Sequence, residues 1–301
     1  MHQRNDESRK DGTLQFVRIK FPDMEQLRIS AISYLNTAPL MWDFEHEGAD
    51  ADFKISYTLP SQCAAQLKVG TADIGIIPVA AYAVIPELTI LPGVAIASRT
   101  AVRSILLVSK VPRERIRTVA LDTSSMTSAA LTKVLFARWW GGQPEFVAMA
   151  PNVERMLRQH DAALLIGDPA LRIDRSRYFT YDLAQEWIGL TGKPFVFAVW
   201  AVRQHALQAA PPELDLAKIF QRSRDHGLRP ESLERIAAQW APRLGLSELQ
   251  VRDYLTGNIN YYLDAPCLEG MQLFLRYAQE CGVLPAAPML SFLDYAKAAV
   301  T

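Results

Sequence analysis

Between Leu106 and Asp122 the chain reads LLVSKVPRERIRTVALD. An apolar run of strand length gives way to a charged connection containing Pro112, and a fresh β-rich run then ends at Asp122. Strand, charged connection, new strand predicts that one lobe closes and another opens here. Working outward, the runs RISAISYL, FKISYTL, DIGIIPV and VRSILLVS precede the division, and RTVALD, EFVAM, AALLIGD and FVFAVWAV follow it. Short apolar runs alternating with helical stretches predict an α/β fold, an open sheet with helices on both faces. PSQCAAQLKVG, between the second and third runs, supplies an N-cap candidate in Ser61 and a helix-ending Gly70, completing a βαβ unit. From about Pro211 helical signals take over: Ser247 and Gln250 have capping-box spacing, and Asp264 can cap a helix carrying Leu268, Met271 and Leu275 on one face. The expected organisation is a flexible tail over 1–25, a first lobe over 26–108 plus 204–301 with a helical C-terminal region, and a second lobe over 109–203. A ligand would lie in the cleft between the lobes, outside the carboxyl ends of the strands.

Bulk composition bounds the function. At 301 residues the chain exceeds the usual size of one core. Lys plus Arg equals Asp plus Glu at 32 each, so no global field gathers nucleic acid or anionic lipid, and an anionic ligand must be held locally. Cys63, Cys267 and Cys281 are odd in number and widely spaced, which argues against a disulfide framework and fits a reducing compartment. The charged opening MHQRNDESRKDGTLQFVRIK lacks the apolar run of a signal peptide, and no segment reaches the length of a membrane span. A cytoplasmic protein is expected. The five histidines show no metal-binding spacing and no GxGxxG or Walker sequence follows a strand, so neither a metal nor a nucleotide cofactor is expected.

Four segments can carry chemistry. Asn36, at the apolar-to-polar break in ISYLNTAPL, either closes a turn or offers a carboxamide to the cleft. Thr123, Ser124, Ser125, Thr127 and Ser128 place five hydroxyls in six residues immediately before a helix. Unpaired backbone N–H groups, hydroxyl donors and the positive end of the helix dipole suit a carboxylate or phosphate there, although one serine would suffice as a cap. Arg103 can pair with a ligand carboxylate or with a surface acid. Its neighbour Ser104 is a hydroxyl inside an apolar run and needs a partner. Asp168, in LLIGDPAL, can act as a base or orient the cleft; capping the next helix is the commoner role of such an aspartate.

Taken in order, ISYLNTAPL, VGTADIGIIPVAAY, PGVAIASRTAVRSILLVSKVP, VALDTSSMTSAALTKVL, DAALLIGDPAL and LTGKPFVFAVWAVR resemble the chorismate dehydratases of the futalosine route to menaquinone, closely from Arg28 to Arg203 and more loosely beyond. The resemblance implies the fold of type II periplasmic binding proteins, a small-molecule substrate, chorismate, and its dehydration to 3-[(1-carboxyvinyl)oxy]benzoate. By motif position it implies catalytic roles for Asn36 and Ser104 and a ligand-binding loop at Thr123 to Ser128, while leaving Arg103 open. Chorismate is a dianion, which suits neutral donors at a helix start. The expected course is a stepwise elimination in which the substrate's own enolpyruvyl carboxylate is the first candidate proton acceptor and Asp168 the second. Two rivals share the fold: a cytoplasmic carboxylate sensor without turnover, and the dihydroxynaphthoate synthase of the same route, whose histidine-dependent site has no counterpart in these motifs. An exported transport protein would need a leader or an N-terminal lipid-bearing cysteine, and Cys63 is the first cysteine.

Overall fold

A computed structural model of the chain describes residues 26–49, 53–211 and 213–293; the predicted tail over 1–25 lies outside them. Eleven strands form two mixed sheets. They are β1 (Leu27–Ile32), β2 (Phe53–Thr58), β3 (Ile74–Pro78), β4 (Leu88–Ser98), β5 (Ile105–Ser109), β6 (Thr118–Asp122), β7 (Glu145–Met149), β8 (Ala162–Ile166), β9 (Phe179–Asp182), β10 (Phe195–Arg203) and β11 (Asn260–Leu263). The first sheet runs β11-β4-β10-β3-β1-β2 and the second β7-β6-β8-β5-β9. β1 pairs in parallel with β2 and β3, and β6 in parallel with β7 and β8. β10 lies antiparallel between β3 and β4, and β5 antiparallel between β8 and β9.

This pairing moves the expected lobe boundaries. β5 was expected to end the first lobe, yet Ile105 to Ser109 pair with Ile166 to Ala162 in the second sheet. β10 was expected in the second lobe, yet Val202 to Ala198 pair with Ile74 to Pro78 in the first. The chain therefore crosses between lobes at 99–104 and again at 192–194. The physical reason is that an apolar strand buried on both faces carries no mark of which sheet it completes. The C-terminal region is also not wholly helical, because β11 pairs with β4 at the edge of the first sheet. β4 itself gives a weak strand signal because Pro92 and Gly93 interrupt it, and its pairing with β10 is correspondingly irregular.

Caps explain the helix ends. Leu59, not Ser61, precedes the helix Pro60–Val69: Pro60 fills the first helical position, and the Gln62 side chain accepts the Leu59 N–H. Ser247 with Gln250 forms the expected capping box, and Asp264 accepts the Cys267 N–H. Buried aromatic side chains fill the first lobe, where Trp200 meets Phe220 with ring centroids 4.7 Å apart. Trp187, on the second-lobe helix Leu183–Thr191, packs edge-on against Phe195 and Phe274 of the first lobe, which ties the lobes together beside the crossings.

Candidate active site

The cleft is assembled from one turn and the carboxyl ends of several strands. Two residues after β1 the chain enters the tight turn Leu35–Met41, which contains Pro39 and has no side-chain cap. It is held from behind by the helix Leu216–Gly227. Ser223 Oγ donates to the Leu40 carbonyl at 2.8 Å and accepts the Asp43 N–H at 3.0 Å. A methyl group at Gly227 would lie 2.0 Å from the Pro39 carbonyl oxygen, so no larger residue permits this approach. The turn so fixed carries Asn36, which is buried at 8% exposure rather than displayed at a strand end.

Opposite lies the junction after β6. Asp122 Oδ1 accepts from the Ser124 N–H at 2.8 Å and from Ser124 Oγ at 2.6 Å. Ser125 caps the helix Met126–Leu135 by accepting the Ser128 N–H at 3.2 Å, and Thr127 Oγ1 accepts the Ala80 N–H from the other lobe at 3.1 Å. Between turn and junction is a cavity of about 420 Å³ of atom-free space, its open mouth included. Tyr34, Asn36, Ser125, Thr127 and Ser128 supply its polar wall; Ile96, Ile105 and Phe197 supply much of the rest. Every described residue lining it is uncharged.

The lobes are in contact around this cavity. Leu35 N–H donates to Asp168 Oδ1 at 3.1 Å, and Ser61 N–H donates to the Ser124 carbonyl at 3.0 Å. Gly167 stands at φ +62, and a methyl there would lie 2.6 Å from the Tyr34 ring. Asp168 does not cap the helix Gly167–Leu171, since its carboxylate reaches across the cleft instead. Burial pushes it up to about 6, opposed by the Leu35 N–H and the Arg172 charge. Burial likewise raises Asp122, opposed by the two bonds from Ser124 and by the Ile166 backbone N–H.

Ser104 is fully buried at the first crossing and does not line the cavity, although the adjacent Ile105 does. Its Oγ accepts from the Tyr254 hydroxyl at 2.8 Å, and the Asn36 carboxamide lies beside that phenol. Arg103 and Thr123 also lie outside the cavity lining. Arg103 contributes its backbone: it adopts φ +62, donates its N–H to Asp182 Oδ2 at 2.7 Å and accepts from Arg175 at 3.1 Å. Asp182 also accepts the Val102 N–H, so one buried carboxylate holds the strained crossing that sets Ser104. Thr123 is exposed, with its N–H on the Met149 carbonyl, and Ser124 is spent on Asp122. Of the predicted residues, the structure thus gathers Asn36, Ser125, Thr127 and Ser128 on the cavity, sets Ser104 behind Asn36, and uses Asp168 at its rim. Sequence reasoning passed over Tyr34 and Tyr254. Tyr34 stood inside ISYLNTAPL, whereas Tyr254 lies in the helical tail with no local signal. No group of three or more metal-ligating side chains occurs among the described residues.

The family model described as menaquinone biosynthesis matches residues 27–280. The chain belongs to that family. A similar protein with a known role is a chorismate dehydratase from Thermus thermophilus, 31% identical over 276 residues, which span 85% of this chain and 95% of the relative. Solved structures similar to this family member show its fold. An alkanesulfonate-binding protein from Xanthomonas axonopodis, bound to MOPS, gives a TM-score of 0.64 at 18% identity, covering 88% of this chain and 96% of its own. A Candida albicans protein with the generic periplasmic binding protein fold gives 0.59 at 13% identity, covering 87% and 91%. The menaquinone-family chain is therefore a two-lobed α/β protein of periplasmic-binding-protein type, with its neutral cavity where such folds hold their ligands.

Proposed function

We propose that the protein is a hydro-lyase that dehydrates chorismate to 3-[(1-carboxyvinyl)oxy]benzoate in the interlobe cavity. One observation supports this reading above the others: the polar wall is built of neutral hydrogen-bond groups, with a helix start at one side and the Asn36 carboxamide at the other. A dianion is held there by donors and a helix dipole without a charged partner. Similarity to the Thermus chorismate dehydratase supports the same substrate.

The chemistry follows from the substrate. The C3 hydrogen is vinylogous to the ring carboxylate, so breaking the C3–H bond leaves a pair of electrons that spreads into that carboxylate as a dienolate. Donors at the helix Met126–Leu135 stabilise the charge as it forms. The pair then rearomatises the ring by expelling the C4 hydroxyl, which leaves as water on taking up the proton removed from C3. The substrate's enolpyruvyl carboxylate, close to C3, receives the first proton; Asp168 is turned toward Leu35 and does not line the cavity. Asn36, which lines the cavity, orients the groups at C3 and C4, and Ser104 acts from behind the cavity wall beside Ile105. Contact between the lobes keeps water from the carbanion.

The test is to incubate purified protein with chorismate and follow an aromatic product one water lighter by absorbance and mass. Wild type is expected to form it, with Asn36→Ala reduced about 100-fold or more. Binding of chorismate without turnover would make the protein a sensor. Activity lost in Asp168→Asn but kept in Asn36→Ala would transfer the base role to Asp168.

A further inference from the structure

We propose that Tyr254 is a positioning residue for this reaction, fixing Ser104 by a hydrogen bond and setting it beside Asn36 at the back of the cavity. The inference rests on the reading of the site given above. Its observations are independent of the cavity lining, since Tyr254 does not line it.

Tyr254 is buried at 2% exposure and donates its hydroxyl proton to Ser104 Oγ at 2.8 Å. With that lone pair occupied, the serine proton is directed away from Tyr254. The Asn36 carboxamide lies beside the same phenol. The first crossing and the C-terminal region are therefore joined by one hydroxyl pair inside an apolar core, where an unmade hydrogen bond costs more than in water.

The backbone is built to deliver this phenol. Tyr254 opens a widened helical turn, Tyr254–Asn258, in which the Ile259 N–H reaches back five residues to the Tyr254 carbonyl at 3.3 Å. Such turns recur at functional sites. This one is fastened to the first lobe crossing: Asn258 Nδ2 donates to the Ala101 carbonyl at 2.8 Å, and Ser98 Oγ donates to the Asn258 carbonyl at 2.8 Å. The crossing that carries Ser104 and the turn that carries Tyr254 are thus one assembly. Burial, and after it the charges of Asp168 and Asp182, raises this phenol above the ordinary tyrosine value and keeps it protonated.

The test is Tyr254→Phe in the full chain, assayed with chorismate beside wild type, Ser104→Ala and the double variant. The expected result is a loss of about 30-fold or more in kcat with KM within about threefold, and a double variant no worse than Ser104→Ala alone. Independent, multiplying losses would overturn the coupling, and so would an unchanged kcat. Tyr261→Phe removes a neighbouring buried hydroxyl that has no hydrogen-bond partner among the described residues and should leave kcat unchanged. If Tyr254→Phe does not fold, 3,5-difluorotyrosine at position 254 keeps the shape and ionises at lower pH. A fall of kcat at alkaline pH that wild type lacks should then appear, and a profile unchanged from wild type would overturn the proposal. Inactive wild type would instead refute the assigned reaction.

Discussion

The junctions after β6 and β8 lie at the carboxyl ends of neighbouring parallel strands, yet they face the cleft differently. After β6 come hydroxyls and helix N–H groups, of which Ser125, Thr127 and Ser128 line the cavity. After β8 comes a carboxylate, Asp168, whose oxygen is taken by Leu35 of the opposite lobe. Proximity to the cleft is common to both, so it does not assign a role. The donors left facing the cavity suit an anion; the acid is consumed in holding the lobes together. That division lets a site near one buried and one half-buried carboxyl group accept a dianion.

The largest blow to the arrangement should come at Gly167. A Gly167→Ala side chain would need φ +62 and would drive into the Tyr34 ring. Strain and overlap together should cost about 2–4 kcal/mol in urea unfolding. Displacement of the ring from the cavity wall should lower kcat/KM about 100-fold. A soluble variant with wild-type turnover would show that the β8 junction does not set the cavity.

Asp168→Asn separates latch from base. As a latch, Asp168 should affect closure, so the variant should raise KM several-fold with kcat little changed; a base would give the reverse. Stability supplies a second reading. Burial raises Asp168 to about 6, so the folded protein holds this proton more tightly than the unfolded chain does. Its contribution to stability therefore grows as pH falls from about 6 toward about 4, and the cost of the buried charge is fully present above about 7. Unfolding free energies of wild type minus Asp168→Asn should show that slope, and a flat difference would contradict it.

How much of this was readable in advance depended on whether the cause was local. FKISYTL and EFVAM announce strands because their β-rich runs are uninterrupted, whereas LTILPGVAIAS conceals β4 behind Pro92 and Gly93. NYYL at β11 is too short to stand out of a helical tail, and it exists because it pairs with β4. Asn36 and the hydroxyl loop were legible because polar groups broke apolar runs. Their separation into cavity-facing and structural members was not, since Thr127 and Thr123 differ only in what the other lobe brings near them. Tyr254 was invisible for the same reason: Ser104, its partner, is 150 residues away.

The two threonines give the smallest and sharpest contrast within the β6 junction. Thr127 is buried, and its oxygen is the acceptor for the Ala80 N–H across the cleft. Thr127→Val keeps the shape and orphans that donor, which should cost about 1–3 kcal/mol and weaken closure. Thr123 is exposed, and what it gives the fold is its backbone N–H, which valine retains. Thr123→Val should therefore stay within about 0.5 kcal/mol of wild type and keep chorismate turnover within about twofold. Because both substitutions exchange one hydroxyl for one methyl in the same loop, composition and helix-start chemistry predict equal effects for the pair. Equal losses in urea unfolding and in turnover would mean that the loop acts as an undivided patch of hydroxyls, and the contrast between spent and free groups would fail where it is most finely drawn.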